Sequence, residues 1–589
     1  MIKNHIRIKS FTAIINHSEE RSLFQPEQDS NNIDVKFSTP RSIVHISFKL
    51  STNQPTRLNN ESEQYFVLGD DQDVSNDVGM QFLGNGLMLR CNQPDQEIEI
   101  SSSITGLPAI FIYRDNRVTV IASDIQNIAA ISGLHLQFDA KGLIDLATIG
   151  HPINHRTLFK NLTIIPAGSL LKLINGQAFE IVETWLPPGE PQFSSWPEYI
   201  DAQISATKAA IHRLDLSQSF LSLTAGLDTR AILAMLIQEG ARVPAYTMSG
   251  ERVTLDAMRA RQLCDAYGMS HNNVSINTDF ADGLPGYATE ASRLSGGLES
   301  VGQAFEVYFY KSLPGQLHAR ISGNLGNQIG RSGTEGTGMR NVSLDILSPD
   351  LKAGIVNSPS REHWFNEIFP DQQMMHPQFL IQNENLYASV GNYSIGNHFA
   401  VQQTPYADRS VIGQKLRQPP NPHQGSKPDA IWQIKLRDVR HRFLGQPVAY
   451  SFQRKVVKDT GGFVANCPIN WGWRARGGVS LGGLMYGAMA MTDAVLGSKL
   501  GKHPIPNNIL KAVGIKGLSS FQEVNILANP KTKQFVADTL LSAGSRQSGI
   551  LESRQLELIV ESGLSDTRQR SNLEFALDVA LAQHNFKAT

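Results

Sequence analysis

An α/β protein in two parts is what this sequence predicts, and three observations carry the prediction. Short β-type runs dominate the stretch from Glu97 to Leu173. A proline-rich seam, Trp185-Leu-Pro-Pro-Gly-Glu-Pro191, then interrupts any regular structure. Beyond it the chain alternates strand with helix, and later becomes mostly helical. The length, 589 residues, allows this, since roughly 100–200 residues make a domain.

Composition narrows the class. Hydrophobic residues make up 41%, and 53 basic side chains face 54 acidic ones for a formal charge of −1. That excludes a mostly disordered chain and an acidic solvating tail. It also argues against a dedicated nucleic-acid binder, which needs a surplus of Lys and Arg on some face. Cys91, Cys264 and Cys467 are widely spaced and form no Cys-x-x-Cys pair. They fit a reduced cytoplasmic compartment and no zinc site. No export signal is expected: Met1 to Lys9 carries charges where an apolar core is needed, and Phe11 to Ile15 is too short. The uncharged run Gly477 to Thr492 stops at Asp493, short of the ~20 apolar residues a spanning helix needs, and reads as a buried helix. The expectation is a soluble cytoplasmic protein with no membrane or nucleic-acid partner.

In the first part, Ile98 to Ser101, Ala109 to Tyr113, Val118 to Ala122 and Ser169 to Leu173 read as strands. Asp115-Asn116 between the second and third signals a hairpin. Gly69 to Asp77 reads as an exposed acidic loop. His151 and His155 have metal-like spacing, but Pro152 interrupts them and no third ligand is evident, so a loop is expected.

Past the seam, Pro197 to Leu214 has helical spacing. A strand at Phe220 to Leu223 runs into the turn Thr224-Ala-Gly-Leu-Asp-Thr229 and a helix from Arg230 to Glu239. A second strand, Val243 to Ser249, and a helix from Asp256 to Tyr267 complete a parallel β-α-β unit. Such a turn presents backbone N–H groups at a helix N-terminus, where Ala225 and Gly226 let a phosphate chain come close. Asp228 suits a metal that screens the phosphates, or a simple helix cap. No Gly-Lys-Ser/Thr follows, so this is not a Walker loop. By itself the turn fits a tight loop in an ordinary sheet equally well.

Thr224 to Thr229 resembles the Ser-Gly-Gly-x-Asp-Ser pyrophosphate loop of the asparagine synthetase family. Further resemblances follow in the family's order. Asp256 to His271 resembles its helix ending in Leu-Gly-x-x-His, and Ile321-Ser-Gly-Asn-Leu-Gly-Asn327 its Ser-Gly-Glu-Gly-x-Asp-Glu loop. Thr404-Pro-Tyr-Ala-Asp-Arg409 resembles its Pro-Phe-Leu-Asp element, and Arg454-Lys455 to Gly461-Gly-Phe463 its Arg-x-Lys-x-Gly-Phe segment. Gly549-Ile-Leu551 with a last amphipathic helix is similar to its C-terminal tail. In the first part, Val118 to Asp124 and Thr157 to Gly168 resemble the family's glutaminase-like domain.

The resemblance implies an Ntn-hydrolase-like αββα sandwich over residues 1–186, a linker over 187–195, and a PP-loop parallel-sheet domain with a helical C-terminal part over 196–589. It implies ATP and Mg²⁺ as cofactors. The nucleotide would lie against Leu223, Thr224, Ala225, Gly226, Asp228, Thr229 and Gly323, with adenine near Thr247, Met248 and Ser249. Asp228 and Asn327 would hold the metal, and Lys455 or Lys458 would neutralise developing charge as the catalytic lysine. The reaction implied is AMP-forming amide synthesis: a carboxylate becomes an acyl-adenylate, which an amine or ammonia then attacks.

The chain also departs from the family. Glutamine-using members carry a nucleophilic cysteine directly after the initiator methionine; here that position is Ile2. A glutaminase-like shell without glutaminase activity is therefore expected, as in β-lactam synthetases and lasso-peptide cyclases of the superfamily. Asn327 replaces a metal-binding Asp, and Asn324 replaces a Glu (a Tyr in the β-lactam branch), so another group must serve as base. Glu384 and Tyr387 stand at a suitable distance in sequence. Asp408 is expected to be structural, pairing with Arg409 or capping. Three products remain open, asparagine, a ring closed from an amino-acid derivative or a macrolactam, and so does a non-catalytic nucleotide-binding scaffold that makes none.

Overall fold

The strand Ile6–Asn16 (β1) alternates its side chains between two cores, as the two-residue repeat of a strand requires. Phe11, Ala13 and Ile15 enter one, and Ile14 the other. A computed structural model describes residues 6–16, 32–38, 43–50, 63–69, 86–92, 97–131, 133–174, 177–183, 193–250, 253–330, 342–353, 380–419, 451–469, 474–476, 526, 529–542, 544–545, 549–562 and 570–588. The proline-rich seam at 184–192, the run 477–492 and the loop from 70 onward lie outside them.

Ten further strands accompany β1 in the first part: β2 (Asn32–Ser38), β3 (Ile43–Leu50), β4 (Glu63–Gly69), β5 (Gly86–Asn92), β6 (Glu97–Ser102), β7 (Phe111–Arg114), β8 (Val118–Ala122), β9 (Leu162–Ile164), β10 (Ser169–Ile174) and β11 (Gln177–Glu183). The path β11-β10-β6-β5-β4-β1-β8-β7-β9 is continuous, with β3 on β1 and β2 on β3. β1 pairs in parallel with β4 at Ile6 and Arg7, then antiparallel with β3 and β8. One sheet thus passes into another through a single strand. An apolar layer from both, including Leu87, Leu89, Ile100, Ile112, Ile121 and Leu171, joins Phe11 between them. The β7–β8 hairpin expected at Asp115 is present, with Asp115 Oδ1 accepting from the Arg117 and Val118 N–H groups. Helices Ile125–Ala129 and Ala140–Thr148 cover the far face of β1, β7 and β8. On the opposite sheet, Arg90, Glu99 and Lys172 form a cross-strand ion-pair ladder. No helix covers that ladder among the described residues, so the fourth layer of an αββα sandwich is not seen there.

The second sheet is parallel throughout: β12 (Ser219–Ser222), β13 (Ala245–Ser249), β14 (His271–Ser275), β15 (Ala319–Ile321) and β16 (Val401–Gln403), in spatial order β14-β13-β12-β15-β16. The chain steps outward from β12 to β14, then returns to lay β15 on the other side of β12. Helices pack on both faces. Leu221 and Ala245 point to a core shared with helices Trp196–His212, Leu227–Gln238, Leu255–Ala266 and Ser451–Thr460. Phe220 and Tyr246 point the other way, to Phe309 and Tyr310 of helix Ala304–Lys311. This is a doubly wound sheet, and its order reverses between β12 and β15.

The two parts share apolar core. Val120, Leu158 and Phe159 cluster with Leu386, Phe575 and Ala582 of the second part. Helix Thr278–Ser295 ends on two left-handed glycines, Gly296 and Gly297, at φ 68° and 74°. A Cβ on Gly296 would lie 2.6 Å from Ile125, and one on Gly297 3.0 Å from Ala582. The glycines therefore serve both the chain reversal and the close approach of the two parts. Among the described residues, no helix is long and apolar enough to cross a membrane.

Candidate active site

In an open α/β sheet, ligands bind outside the carboxyl ends of the strands where the order reverses. Here that point lies between the segments following β12 and β15. The helix Leu227–Gln238 has Gly226 at its N-cap, with extended backbone and no side-chain cap hydrogen bond. A helix N-terminus of this kind turns N–H groups toward an anion. Asp228 occupies the first turn and is not the N-cap residue.

The β15 segment comes in close. A Cβ on Gly323 would sit 2.8 Å from Thr229 Cγ2, and one on Gly326 2.5 Å from Asp228 Cβ. Between these glycines Leu325 has φ 64°, a left-handed conformation costing roughly 1–2 kcal/mol in a residue with a Cβ. Its side chain is buried in the sheet core, which offsets that strain. Asn324 is exposed at the tip, and Asn327 is half-buried one residue past Gly326.

Two side chains that the sequence did not single out brace Asp228. Gln453 is fully buried, and its Nε2 donates to Asp228 Oδ1 and to the Gly326 carbonyl, each at 2.9 Å. The Tyr406 hydroxyl donates to the Asp228 carbonyl at 2.8 Å. A signal for Gln453 was available: Phe452, Val456 and Val457 are the buried face of its helix, and a glutamine among them needs a polar partner. Beneath the turn, Arg230 is 0% exposed. Burial pulls its guanidinium down to about 10, so it remains a cation at neutral pH.

The other expected residues fall as follows. Leu223, Thr224, Ala225, Gly226, Asp228, Thr229 and Gly323 converge at this edge. Thr247 is beside them, its hydroxyl donating to the Leu223 carbonyl at 2.6 Å and meeting His271 Nε2 at 3.0 Å. Ser249 is buried and accepts from Asn273 Nδ2, while Met248 is half-buried against the cluster around Phe280. Lys455 stands two residues from Gln453, about 200° around the helix. It is exposed and paired with Asp459 at 2.7 Å and Asp201 at 3.8 Å. Lys458 is exposed too. The structure thus brings Gln453, not either lysine, to Asp228. Tyr387 lies at the junction of the two parts, its hydroxyl accepting from the His155 N–H at 3.0 Å. Glu384 has no described side chain. Asp408 caps the helix Arg409–Leu416 and pairs with Arg213 rather than with Arg409.

Phosphate suits the turn: a helix N-terminus without a side-chain cap, a buried cation below, and glycines where loops meet. For a metal, the donors are one carboxylate, Asp228, already accepting from Gln453, and the amide of Asn327. Among the described residues no group of three His, Cys, Asp or Glu stands together. Mg²⁺ needs no such cage, since it keeps several waters and one or two protein ligands.

The close approach of Gly326 gives a direct expectation. Gly326→Ala should destabilise by about 1–3 kcal/mol in urea unfolding, because the added methyl meets Asp228 rather than space. Gly413→Ala, in a helix where the methyl meets nothing within 4 Å, should instead stabilise by about 0.5–1 kcal/mol.

No family model matches the chain, and no curated protein matches it. Among solved structures it is similar to an NMN synthetase from Francisella tularensis, with 12% identity over 39% of this chain and 100% of that one. The TM-score of 0.18 is too low for that likeness to carry any argument.

Proposed function

We propose that the chain is an ATP-dependent, AMP-forming amide synthetase that does not use glutamine as its nitrogen source. The observation that carries this is the Thr224–Thr229 turn, at the point where the strand order reverses, uncapped and seated on a buried cation. The resemblance of that turn and of the segments after it to asparagine synthetases supplies the reaction class.

In this reading ATP is a substrate. A carboxylate oxygen attacks the α-phosphorus, the bond to the bridging oxygen breaks, and pyrophosphate leaves. An amine then attacks the acyl carbon, loses a proton and expels AMP. The chain's own residues orient the phosphates: the N–H groups of Leu227, Asp228 and Thr229 face them, and Arg230 offsets their charge. When bound, Mg²⁺ screens that charge, and Asp228 and Asn327 are the residues that would hold it. The substrate carboxylate, whether of an amino acid or of a precursor peptide, stays open in this proposal, as does the role of Lys455 or Lys458.

A second reading, a nucleotide-binding scaffold without chemistry, is favoured by Asn324, Asn327 and the outward pairing of Lys455. ATP–pyrophosphate exchange against a panel of carboxylates separates the two. Exchange that depends on one carboxylate is expected. No exchange, with ATP still raising the melting midpoint, leaves the scaffold; neither effect removes both.

A further inference from the structure

Ala225 is held through both of its backbone polar groups. Its N–H donates to Asp256 Oδ1 at 2.9 Å, and its carbonyl accepts from Arg230 Nη2 at 2.8 Å. Neighbouring donors in the turn are committed as well. The Thr224 N–H donates to Thr229 Oγ1 and the Gly226 N–H to Thr224 Oγ1, each at 3.2 Å. Three N–H groups at the head of the turn therefore meet oxygens of this chain, and Asp256 supplies the only charged one.

Asp256 does not cap its own helix. The N-cap there is Thr254, whose hydroxyl accepts from the Ala257 N–H at 3.0 Å. The carboxylate instead crosses to the neighbouring turn. Arg230, below, donates to the carbonyls of Cys467 at 2.5 Å, Ala225 at 2.8 Å and Pro468 at 3.1 Å. Its Nε has no partner among the described residues. Carbonyl oxygens satisfy the hydrogen bonds of a buried guanidinium but bring no balancing unit charge. Asp256 is the carboxylate whose field reaches it.

We propose that the Asp256 carboxylate is the resting occupant of an anion seat made by the Ala225 N–H above Arg230, and that a phosphoryl group of the nucleotide displaces it. The proposal rests on the nucleotide reading given above and adds a gate to it. A planar trans peptide aims its N–H opposite to its carbonyl. Arg230 therefore fixes the Ala225–Gly226 peptide, whose carbonyl it binds, whichever anion is present. What changes is the anion. Apparent affinity for phosphate is then lowered by the fraction of molecules in which Asp256 keeps its place.

The electrostatics of Asp256 fit a temporary occupant. Burial raises its pKa, with the Ala225 N–H and Arg230 pulling the other way. A carboxyl that binds its proton more tightly when folded contributes stability below the unfolded pKa and loses it as pH rises through the folded one. At neutral pH the charge therefore opposes folding, and its departure into water relieves that. Asp256→Asn keeps an acceptor for the Ala225 N–H and removes the charge.

Calorimetric titration of the full chain with inorganic pyrophosphate, and with the imido analogue of ATP, tests this. Asp256→Ala is expected to bind pyrophosphate about tenfold more tightly than wild type, with Asp256→Asn between them. Unchanged or weaker binding in both variants makes Asp256 a strut and overturns the proposal. If Asp256→Ala does not fold, Asp256→Asn decides, together with a crystal structure of the wild type with pyrophosphate. An Asp256–Ala225 hydrogen bond intact beside the bound anion overturns the gate while leaving the nucleotide site. Absence of binding by wild type and variants alike removes the nucleotide reading and the gate together.

Discussion

Alanine at Asp228 is expected to lower ATP–pyrophosphate exchange by about 10²–10³-fold, the size of effect that removing one preorganised charged group from a reacting phosphate or oxyanion site has. The side chain is half-buried, and Asp228 is not the N-cap residue. Truncation frees one hydrogen of Gln453 Nε2 but leaves the one to the Gly326 carbonyl, so stability should fall by only about 1 kcal/mol. Loss of exchange without loss of fold is therefore the signature. Lys455→Ala and Lys458→Ala give the contrast. Both side chains are exposed, and unfolding of either variant should shift by no more than about 0.5 kcal/mol. If either abolishes exchange, that lysine swings to the phosphates during the reaction. If Asp228→Ala exchanges at the wild-type rate, the role given to the turn is wrong.

What the sequence made legible is the local chemistry of loops. The turn at Thr224–Thr229 could be read because a strand, a glycine and a helix follow one another in so few residues. The β7–β8 hairpin could be read because Asp115 binds the two N–H groups after it. β1 was not read, although it is the strand through which one sheet passes into the next. Its Ile6-Arg-Ile-Lys9 alternation carries the two-residue signal of a strand, but those charges were weighed only against an export signal. Gln453 and Tyr406 were missed for a different reason. Each reaches Asp228 from more than 170 residues away in sequence, at separations of 225 and 178. Spacing within a motif cannot report such a contact. The lysines illustrate the converse. A motif places Lys455 in the right segment, but the helix turns residue 453 inward and residue 455 to solvent.

Arg320 offers the larger test of how the sheet holds the site in place. It lies on β15 against the rings of Phe309 and Tyr310, its guanidinium carbon 5.4 and 5.5 Å from their centroids. Its Nη1 donates to Glu306 Oε2 and to the Tyr310 hydroxyl, both at 2.9 Å, and its Nε to Ser222 Oγ at 2.7 Å. Tyr310 passes the chain on to Gln402 of β16 at 3.2 Å. Three adjacent parallel strands are thus tied together one or two residues before the segments that meet at the site. Arg320→Met should cost about 3–5 kcal/mol, because Glu306 is left charged and buried without its partner. Adding Glu306→Leu should return most of that, since replacing both members of a buried pair by apolar groups is often neutral. A double-mutant cycle in urea measures the coupling, and a value below about 0.5 kcal/mol would mean that the pair does not hold the strands. The ATP–pyrophosphate exchange of the double variant then separates two roles. Because Ser222 stands two residues before the turn, loss of the Arg320–Ser222 bond should raise the KM for ATP even where stability has recovered, whereas kcat should change little.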